Sequence, residues 1–237
     1  MSQKLDIGGV IRSVFDIYVD QASVLMPAAA VVFVITGIVR EVLVAAGPGT
    51  ALLAELISLI AGTLFTGMIV ELVADVQDGR RDATPGQLLR AVTPVLGQLV
   101  LVGILAGVGV VIGFVLLVLP GLILLTLWSV AAPVVVLEHP GAVAALRRSR
   151  ELVRGNGWQV FGVILALDLL VGVAAGVLDL VAASAGTGVG IVVVVVVGVL
   201  TAPVSALASA VLYFRLRGGP APARVADPAR PANPFGE

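Results

Sequence analysis

Cysteine is absent from this chain, histidine occurs once, and charged residues make up only 12% of it. The missing thiols exclude disulfides, thiolate metal sites and thiol nucleophiles. The lone His139 cannot form a histidine-based metal site without cysteines to help it, and no Ser-His-Asp set can be placed at one depth. We therefore expect a protein that has no catalytic activity and binds no metal or other cofactor.

The scarcity of charge also excludes a water-soluble globular protein, because about a quarter of the residues of soluble domains are charged. Apolar residues make up 59% of the 237 residues, and the mean hydropathy is +1.14. They form long runs, and about 20 apolar residues cross roughly 30 Å of hydrocarbon as a helix. The sequence predicts an all-α membrane protein with six spans, at about 22–46, 51–75, 95–118, 121–138, 158–183 and 189–214.

The third and fourth spans come from one apolar stretch, residues 95–137, which is too long for a single crossing. Pro120 and Gly121 lie near its middle. Proline cannot donate to the hydrogen-bond ladder of a helix and disfavours helix at the residue before it. The sequence therefore predicts that the chain turns back at Pro120–Gly121.

Three short amphipathic segments each precede a pair of spans. They occupy residues 5–18, the segment opened by Thr84-Pro85-Gly86, and the segment that begins at His139-Pro140-Gly141 and ends near Gly155. We expect three hairpins, each preceded by a short cytoplasmic interfacial helix, within a membrane domain at 1–215. The pattern fits either three repeats or any even-spanned protein with short outer loops. Residues 216–237, rich in Pro, Ala and Arg, are expected to be a disordered cytoplasmic tail.

Lysine and arginine fall almost entirely on one side of this six-span arrangement. The opposite side has only Arg40, near the outer end of the first span. Cytoplasmic loops carry an excess of Lys and Arg, so both termini are expected to be cytoplasmic, in the bacterial inner membrane. The residues on the basic side are Lys4, Arg12, Arg80, Arg81, Arg90, Arg147, Arg148, Arg150, Arg154, Arg215, Arg217, Arg224 and Arg230.

A few charged residues lie within the predicted spans, where an unpaired charge costs several kcal/mol. Arg40 and Glu55 lie at similar depths on the first two spans, so they form a candidate structural ion pair; a functional pathway and snorkelling to the interface are the alternatives. Asp168 lies roughly 15 Å along the fifth span from Trp158, near the midplane. It is either a proton or substrate site beside a wet cavity, or a neutral acid bonded to a hydroxyl such as Thr63, Thr66 or Ser205.

The third amphipathic segment is strongly basic. Arg147, Arg148, Arg150 and Arg154 lie beside an apolar stripe that includes Val143 and Ser149. A basic helix can bind nucleic acid, but the adjoining spans fix this one to the bilayer, where arginines meet anionic lipid phosphates. We therefore expect the four arginines to contact anionic lipid headgroups, and we expect no nucleic-acid partner.

Several glycines in the apolar runs have the G-x-x-x-G spacing that allows helices to approach closely. Gly109 and Gly113 form one such pair, and Gly103 and Gly107 form another. In a chain with 28 glycines, packing between helices of one chain is a more economical interpretation than dimerisation.

The segment 120–161 resembles a broad group of bacterial six-span proteins. The similarity lies in Pro120-Gly121-Leu122-Ile123-Leu124, in the run 131–138, and in Ala144-Ala145-Leu146-Arg147-Arg148-Ser149 with Leu152-Val153-Arg154-Gly155 before Trp158. That group includes the membrane domain of some glycerophosphoryl diester phosphodiesterases and the YciC-like uncharacterised membrane proteins. The resemblance implies a six-span fold without an activity, because the catalytic barrel of those phosphodiesterases is a separate soluble domain.

Two functions remain open at this point. The first is a non-catalytic, membrane-organising or accessory protein that contacts lipids or a partner protein. The second is a small transporter or lipid-translocating protein with a site near Asp168. A transporter needs a polar route to both faces of the membrane, whereas an accessory protein can have a closed apolar interior.

Overall fold

A computed structural model describes residues 5–79, 84–185 and 187–218, and within those ranges the regular structure is helical throughout. Short 3₁₀ turns at Pro48–Thr50 and Thr93–Val95 connect helices. The α-helices are α1 Ile7–Asp20, α2 Ala22–Ala45, α3 Ala51–Gln77, α4 Pro85–Val92, α5 Leu96–Leu116, α6 Val118–Leu127, α7 Ala131–Glu138, α8 Ala142–Val153, α9 Gly157–Ala185 and α10 Thr187–Arg217.

Six helical stretches of the described chain are long and apolar enough to cross a membrane. They correspond in order to the six spans predicted from the sequence. The last helix continues to Arg217, a few residues past the predicted end, and residues 219–237 of the expected tail lie outside the described residues. The stretches are Ala22–Arg40, Ala51–Gln77, Pro85–Leu116, Val118–Glu138, Gly157–Leu178 and Val196–Arg217.

The break between the third and fourth spans lies at Leu117, three residues before the predicted position. Leu117 is extended, with φ −166° and ψ 150°, and α6 begins at Val118. Pro120 therefore lies in the first turn of α6. The N–H groups of a first helical turn have no partner within the helix, so a proline there costs no hydrogen bond. Pro120 thus follows the turn as part of the returning helix.

Glycines bring α5 and α6 into close contact on the two sides of this break. A Cβ atom at Gly113 would lie 2.9 Å from both Cα and N of Gly121, and one at Gly121 would lie 2.5 Å from the Phe114 ring. Gly109 similarly leaves room for the ring of Trp128. These contacts fit the role of small residues in letting helix backbones approach within a membrane.

The fourth span is interrupted at residues 128–130, where α6 ends and α7 begins, although the sequence predicts one continuous helix over 121–138. Side chains satisfy the carbonyl groups that the break releases. Ser129 Oγ donates to the Thr126 carbonyl at 2.9 Å, and Ser149 Oγ on α8 donates to the Leu127 carbonyl at 2.8 Å. Because Ser149 is fully buried, its bond also fixes α8 against the interrupted span.

The buried core is formed mainly by α3 and α10, which each pack against several other helices. Phe65 and Leu72 on α3 and Leu207 and Leu212 on α10 are almost completely buried. Toward the connections near residues 46–50 and 117 the distribution reverses, and large apolar side chains are exposed, as Leu52 is at 77%. The core therefore lies toward the half of the helices that is adjacent to α1, α4 and α8.

The amphipathic helix α1 packs its apolar face onto this core. Val10, Val14 and Ile17 form its buried face, and it packs against α9 and α10. The Tyr18 hydroxyl donates to the Leu200 carbonyl at 3.0 Å, and burial raises the pKa of this tyrosine. The first helix of the chain is thus bonded directly to the last.

A polar cluster, formed by Glu138, Arg148, Tyr213 and Arg217 and called the Glu138 clamp below, joins α7, α8 and α10. One carboxylate oxygen of Glu138 lies 3.2 Å from Arg148 Nε, and the other accepts a 2.8 Å hydrogen bond from the Tyr213 hydroxyl. Arg217 donates to the Tyr213 hydroxyl at 3.1 Å and lies over its ring. The connection to α8 includes His139, whose φ of 52° lies in the left-handed region.

Replacing Gly113 by alanine is expected to destabilise the protein by roughly 1–3 kcal/mol, because the new methyl group would force the α5 and α6 backbones apart. Thermal unfolding in one detergent would measure the change. Gly107→Ala is the matched control on the same helix, since a Cβ there meets nothing within 4 Å. Equal effects of the two substitutions would contradict close packing at Gly113.

Replacing Glu138 by glutamine is expected to lower the free energy of unfolding by about 1–3 kcal/mol, because Arg148 would lose its main counterion in a partly buried place. Glu151→Gln is the control. That carboxylate also lies within 3.5 Å of Arg148, but its side chain is 56% exposed, so its loss should cost less than about 0.5 kcal/mol. Unfolding curves of the two variants at neutral pH would separate them, and a larger loss for Glu151→Gln would refute the central place of Glu138.

Candidate functional site

An exposed arginine surface lies on α8. The buried face of this helix consists of Ala142, Ala145, Ser149 and Val153, which pack on the neighbouring helices. The opposite face carries residues spaced three to four apart, so that their side chains share one line along the helix. That line, called the arginine stripe below, contains Val143, Arg147, Arg150 and Arg154, all exposed.

The position of Val143 differs from the one that the amphipathic pattern predicts. The sequence places it in the apolar stripe, yet its side chain is 64% exposed. Successive residues of a helix are about 100° apart, and Val143 falls beside Arg147 and Arg150 while Ala142 faces the core. An exposed valine next to cations gives the stripe an apolar component. Trp158, at the start of α9 and four residues after Arg154, is 83% exposed.

Arg148 differs from the other three arginines of the predicted lipid surface. It points toward Glu138 and Glu151, at 3.2 and 3.5 Å. Burial alone would lower the pKa of Arg148, but the two carboxylates outweigh it and raise that pKa above its ordinary value. Within the described residues, Arg147, Arg150 and Arg154 have no carboxylate at ion-pair distance. Spacing along α8 indicates the pair with Glu151, three residues on, but not the pair with Glu138, because Glu138 belongs to α7.

Arg40 and Glu55 come together at the other end of the helices. The Nε atom of Arg40 lies 3.6 Å from Oε1 of Glu55, which links α2 to α3 near their connection. The two side chains are 49% and 68% exposed. An ion pair as open as this contributes little where water reaches it. The pair lies between the first two spans, at the ends that their connection joins.

Asp168 lines an open cavity of about 190 Å³ between the α6–α7 break, α9 and α10, and its side chain, like that of Ser205, is exposed there. Three serines share the lining with it. Ser205 is among the hydroxyls that the sequence suggests, whereas Ser129 and Ser209 are not. Thr63 and Thr66 instead donate to carbonyl groups of their own helix. The remaining lining is apolar and consists of Leu125, Ile164, Leu167, Ala208 and Leu212.

The place of Ser129 in the lining could not be predicted from the sequence. It lies in the break of the fourth span, and the apolar pattern does not reveal that break. Ser209 lies four residues after Ser205 on α10, so the two share one face of that helix. That spacing is the signal from which Ser209 could be predicted. Within the described ranges, no group of three or more histidine, aspartate and glutamate side chains is arranged to hold a metal ion.

A segment of 102 residues, 42% of this chain, is 33% identical to a UPF0259 membrane protein of Pectobacterium carotovorum subsp. carotovorum (strain PC1). The matched segment spans 39% of the length of that relative. No family model matches the chain, and no solved structure matches it. The resemblance to the phosphodiesterase membrane domain stays a prediction. The UPF0259 relative and the six long apolar helices identify the chain as a multi-pass membrane protein similar to an uncharacterised bacterial membrane family.

Proposed function

We propose that this protein is a non-catalytic, accessory component of the bacterial inner membrane that organises its surroundings by binding anionic lipid headgroups. The single observation that carries the proposal is the arginine stripe. Its three guanidinium groups are exposed and have no carboxylate partner among the described residues, so they are available for phosphate. Guanidinium matches phosphate with two parallel hydrogen bonds.

The surroundings of the stripe favour a lipid over a soluble anion. Val143 and Trp158 are both strongly exposed and apolar, at 64% and 83%. Tryptophan is enriched where hydrocarbon meets headgroups, because its ring is apolar and its N–H is polar. The helix that follows the stripe, α9, is itself a candidate span. In this proposal α8 is an interfacial helix, and α1 and α4 lie at the same interface; an acidic partner protein would use the same surface.

The orientation belongs to the proposal as well. Arg90, the arginine stripe and Arg217 lie next to connections on one side of the six-span arrangement, while Arg40 lies toward the other. The positive-inside rule then makes the stripe face the cytoplasmic leaflet, which carries the anionic headgroups that it would bind. Both termini are cytoplasmic in this orientation.

A single cysteine at position 86 is expected to react with a membrane-impermeant maleimide only from the cytoplasmic side, and one at position 49 only from the outside. The chain has no cysteine of its own, so each label reports one site. Gly86 and Gly49 make a matched pair, because a side chain at either meets nothing within 4 Å. Labelling of intact cells against opened spheroplasts gives the answer, and reactivity of both positions from one side would rule out the six-span orientation.

Changing Arg147, Arg150 and Arg154 together to glutamine is expected to weaken binding of phosphatidylglycerol roughly a hundredfold, since each arginine near an anionic surface contributes about 1 kcal/mol. Native mass spectrometry of lipid adducts, titrated in a neutral detergent, would measure it. Phosphatidylcholine is the reference lipid.

The control is the triple lysine variant at the same positions, which keeps the charge and is expected to retain most of the binding. Wild-type protein that takes up both lipids equally would sink the proposal, and so would a glutamine variant with unchanged preference for phosphatidylglycerol. Loss of binding in the lysine variant as well would point to a role of guanidinium geometry.

A second candidate function is transport, and the cavity at Asp168 is the observation that favours it. Polar groups of a transporter gather near the midplane where helices are discontinuous. Asp168 lies beside a cavity lined by three serines, next to the break between α6 and α7. An accessory protein with a closed apolar interior would have no need for these groups. The lipid proposal does not depend on the cavity, because the stripe lies on a different helix.

A further inference from the structure

The serines around the cavity present hydrogen-bond acceptors to it. The Ser129 hydroxyl donates to the Thr126 carbonyl and the Ser209 hydroxyl donates to the Ala206 carbonyl, each at 2.9 Å. A hydroxyl has one proton and two lone pairs. Because both hydroxyl protons are donated to backbone carbonyls, the two serine oxygens can present only lone pairs to the cavity. The Ser205 hydroxyl makes no hydrogen bond with any described residue, so it can turn its lone pairs toward a ligand in the cavity.

Asp168 adds a carboxylate to these acceptors. Within the described residues no donor is bonded to it and no lysine, arginine or histidine lies at ion-pair distance. The side chains beside it are apolar, including Ile164 and Leu167. A carboxylate in such a place at the midplane of a membrane is costly unless something positive compensates it. The cavity therefore presents a few oxygen lone pairs within a mostly apolar lining, and no described residue of that lining is positively charged.

The interrupted span adds negative potential from a third direction. Helix α6 ends at Leu127, and Leu125 and Ser129 at its end line the cavity. The C-terminal end of a helix is the negative end of its dipole. In membrane proteins with broken helices, such C-terminal ends and the unwound backbone beside them are where cations bind. Carboxylate, serine oxygens and helix end thus converge on one space.

We propose that this cavity binds a compact monovalent cation, either Na⁺ or a small protonated primary amine. One carboxylate balances one positive charge, whereas Ca²⁺ requires six to eight oxygen ligands and commonly several carboxylates. A volume of about 190 Å³ admits such an ion together with water molecules. The proposal deepens the second candidate function by giving its cavity a ligand class, and it rests on that function only in using the same cavity. Binding does not require transport, because a cavity can bind a cation that the protein never moves.

The test is equilibrium binding of ²²Na⁺ to the purified full-length protein, in a buffer whose only other cation is N-methyl-D-glucamine. We expect saturable binding of one ion per chain. Asp168→Asn, which keeps the shape and removes the charge, should weaken it by at least about tenfold. Ser205→Ala should weaken it by a smaller factor. Methylammonium added as competitor distinguishes the two ligands, since displacement at a lower concentration than unlabelled Na⁺ assigns the site to amines.

Asp16→Asn is the matched control, because this exposed carboxylate lies on α1, outside the lining of the cavity. Its binding should equal that of the wild type. Size-exclusion profiles and unfolding temperatures without Na⁺ establish that each variant is folded. If Asp168→Asn does not fold, weaker ²²Na⁺ binding by Ser205→Ala still tests the site. Absence of both ²²Na⁺ and methylammonium binding to the wild type would overturn the proposal, as would unchanged binding in folded Asp168→Asn.

Flux measurements separate this inference from the transport function. Proteoliposomes that bind ²²Na⁺ at Asp168 without accumulating it or any co-supplied solute would leave the cation site in place and remove the transport candidate. Solute flux through a wild-type protein that binds neither ²²Na⁺ nor methylammonium would do the opposite, because transport would remain and the cation site would be removed.

Discussion

The hydrocarbon core of a membrane offers no hydrogen bonds, so every backbone group that crosses it must find its partner within the protein. This constraint explains how the backbone groups at the two helix breaks of this chain are accommodated. At Leu117 the break is a single extended residue, and the proline nearby lies in a first turn whose N–H groups have no helical partner anyway. At residues 128–130 the released carbonyls of Thr126 and Leu127 are bonded by Ser129 and Ser149.

The second break ties the two candidate sites to one element. Ser149 supports the Leu127 carbonyl from α8, and α8 carries the arginine stripe on its other face. On the opposite side of the same break, Ser129 reaches the cavity at Asp168. The Glu138 clamp fixes α7 just beyond it. A movement of α8 would therefore be transmitted to the break through one hydrogen bond and one ion pair.

Hydropathy alone predicted the six apolar spans closely, because about 20 consecutive apolar residues have few other uses in a protein. Local rules were less exact within those spans. Pro120 indicated a turn but not that the turn precedes it, and nothing in the run Leu124–Leu127 signalled the break that follows. Sites made by distant residues were the hardest to predict: Asp168 stands out in the sequence, whereas the separation of Arg148 from the other arginines depends on Glu138, which belongs to another helix.

The bonds between the first and last helices bear on how the protein is made. Tyr18 is bonded to Leu200, and Arg215 donates to Ser13 at 3.0 Å, so these partners of α1 are synthesised long after α1 itself. Until α9 and α10 have been synthesised, α1 lacks the helices on which most of its buried face packs. An amphipathic helix in that situation is stable at the lipid surface. The contacts that bury α1 against α9 and α10 therefore form only after those two helices have been synthesised.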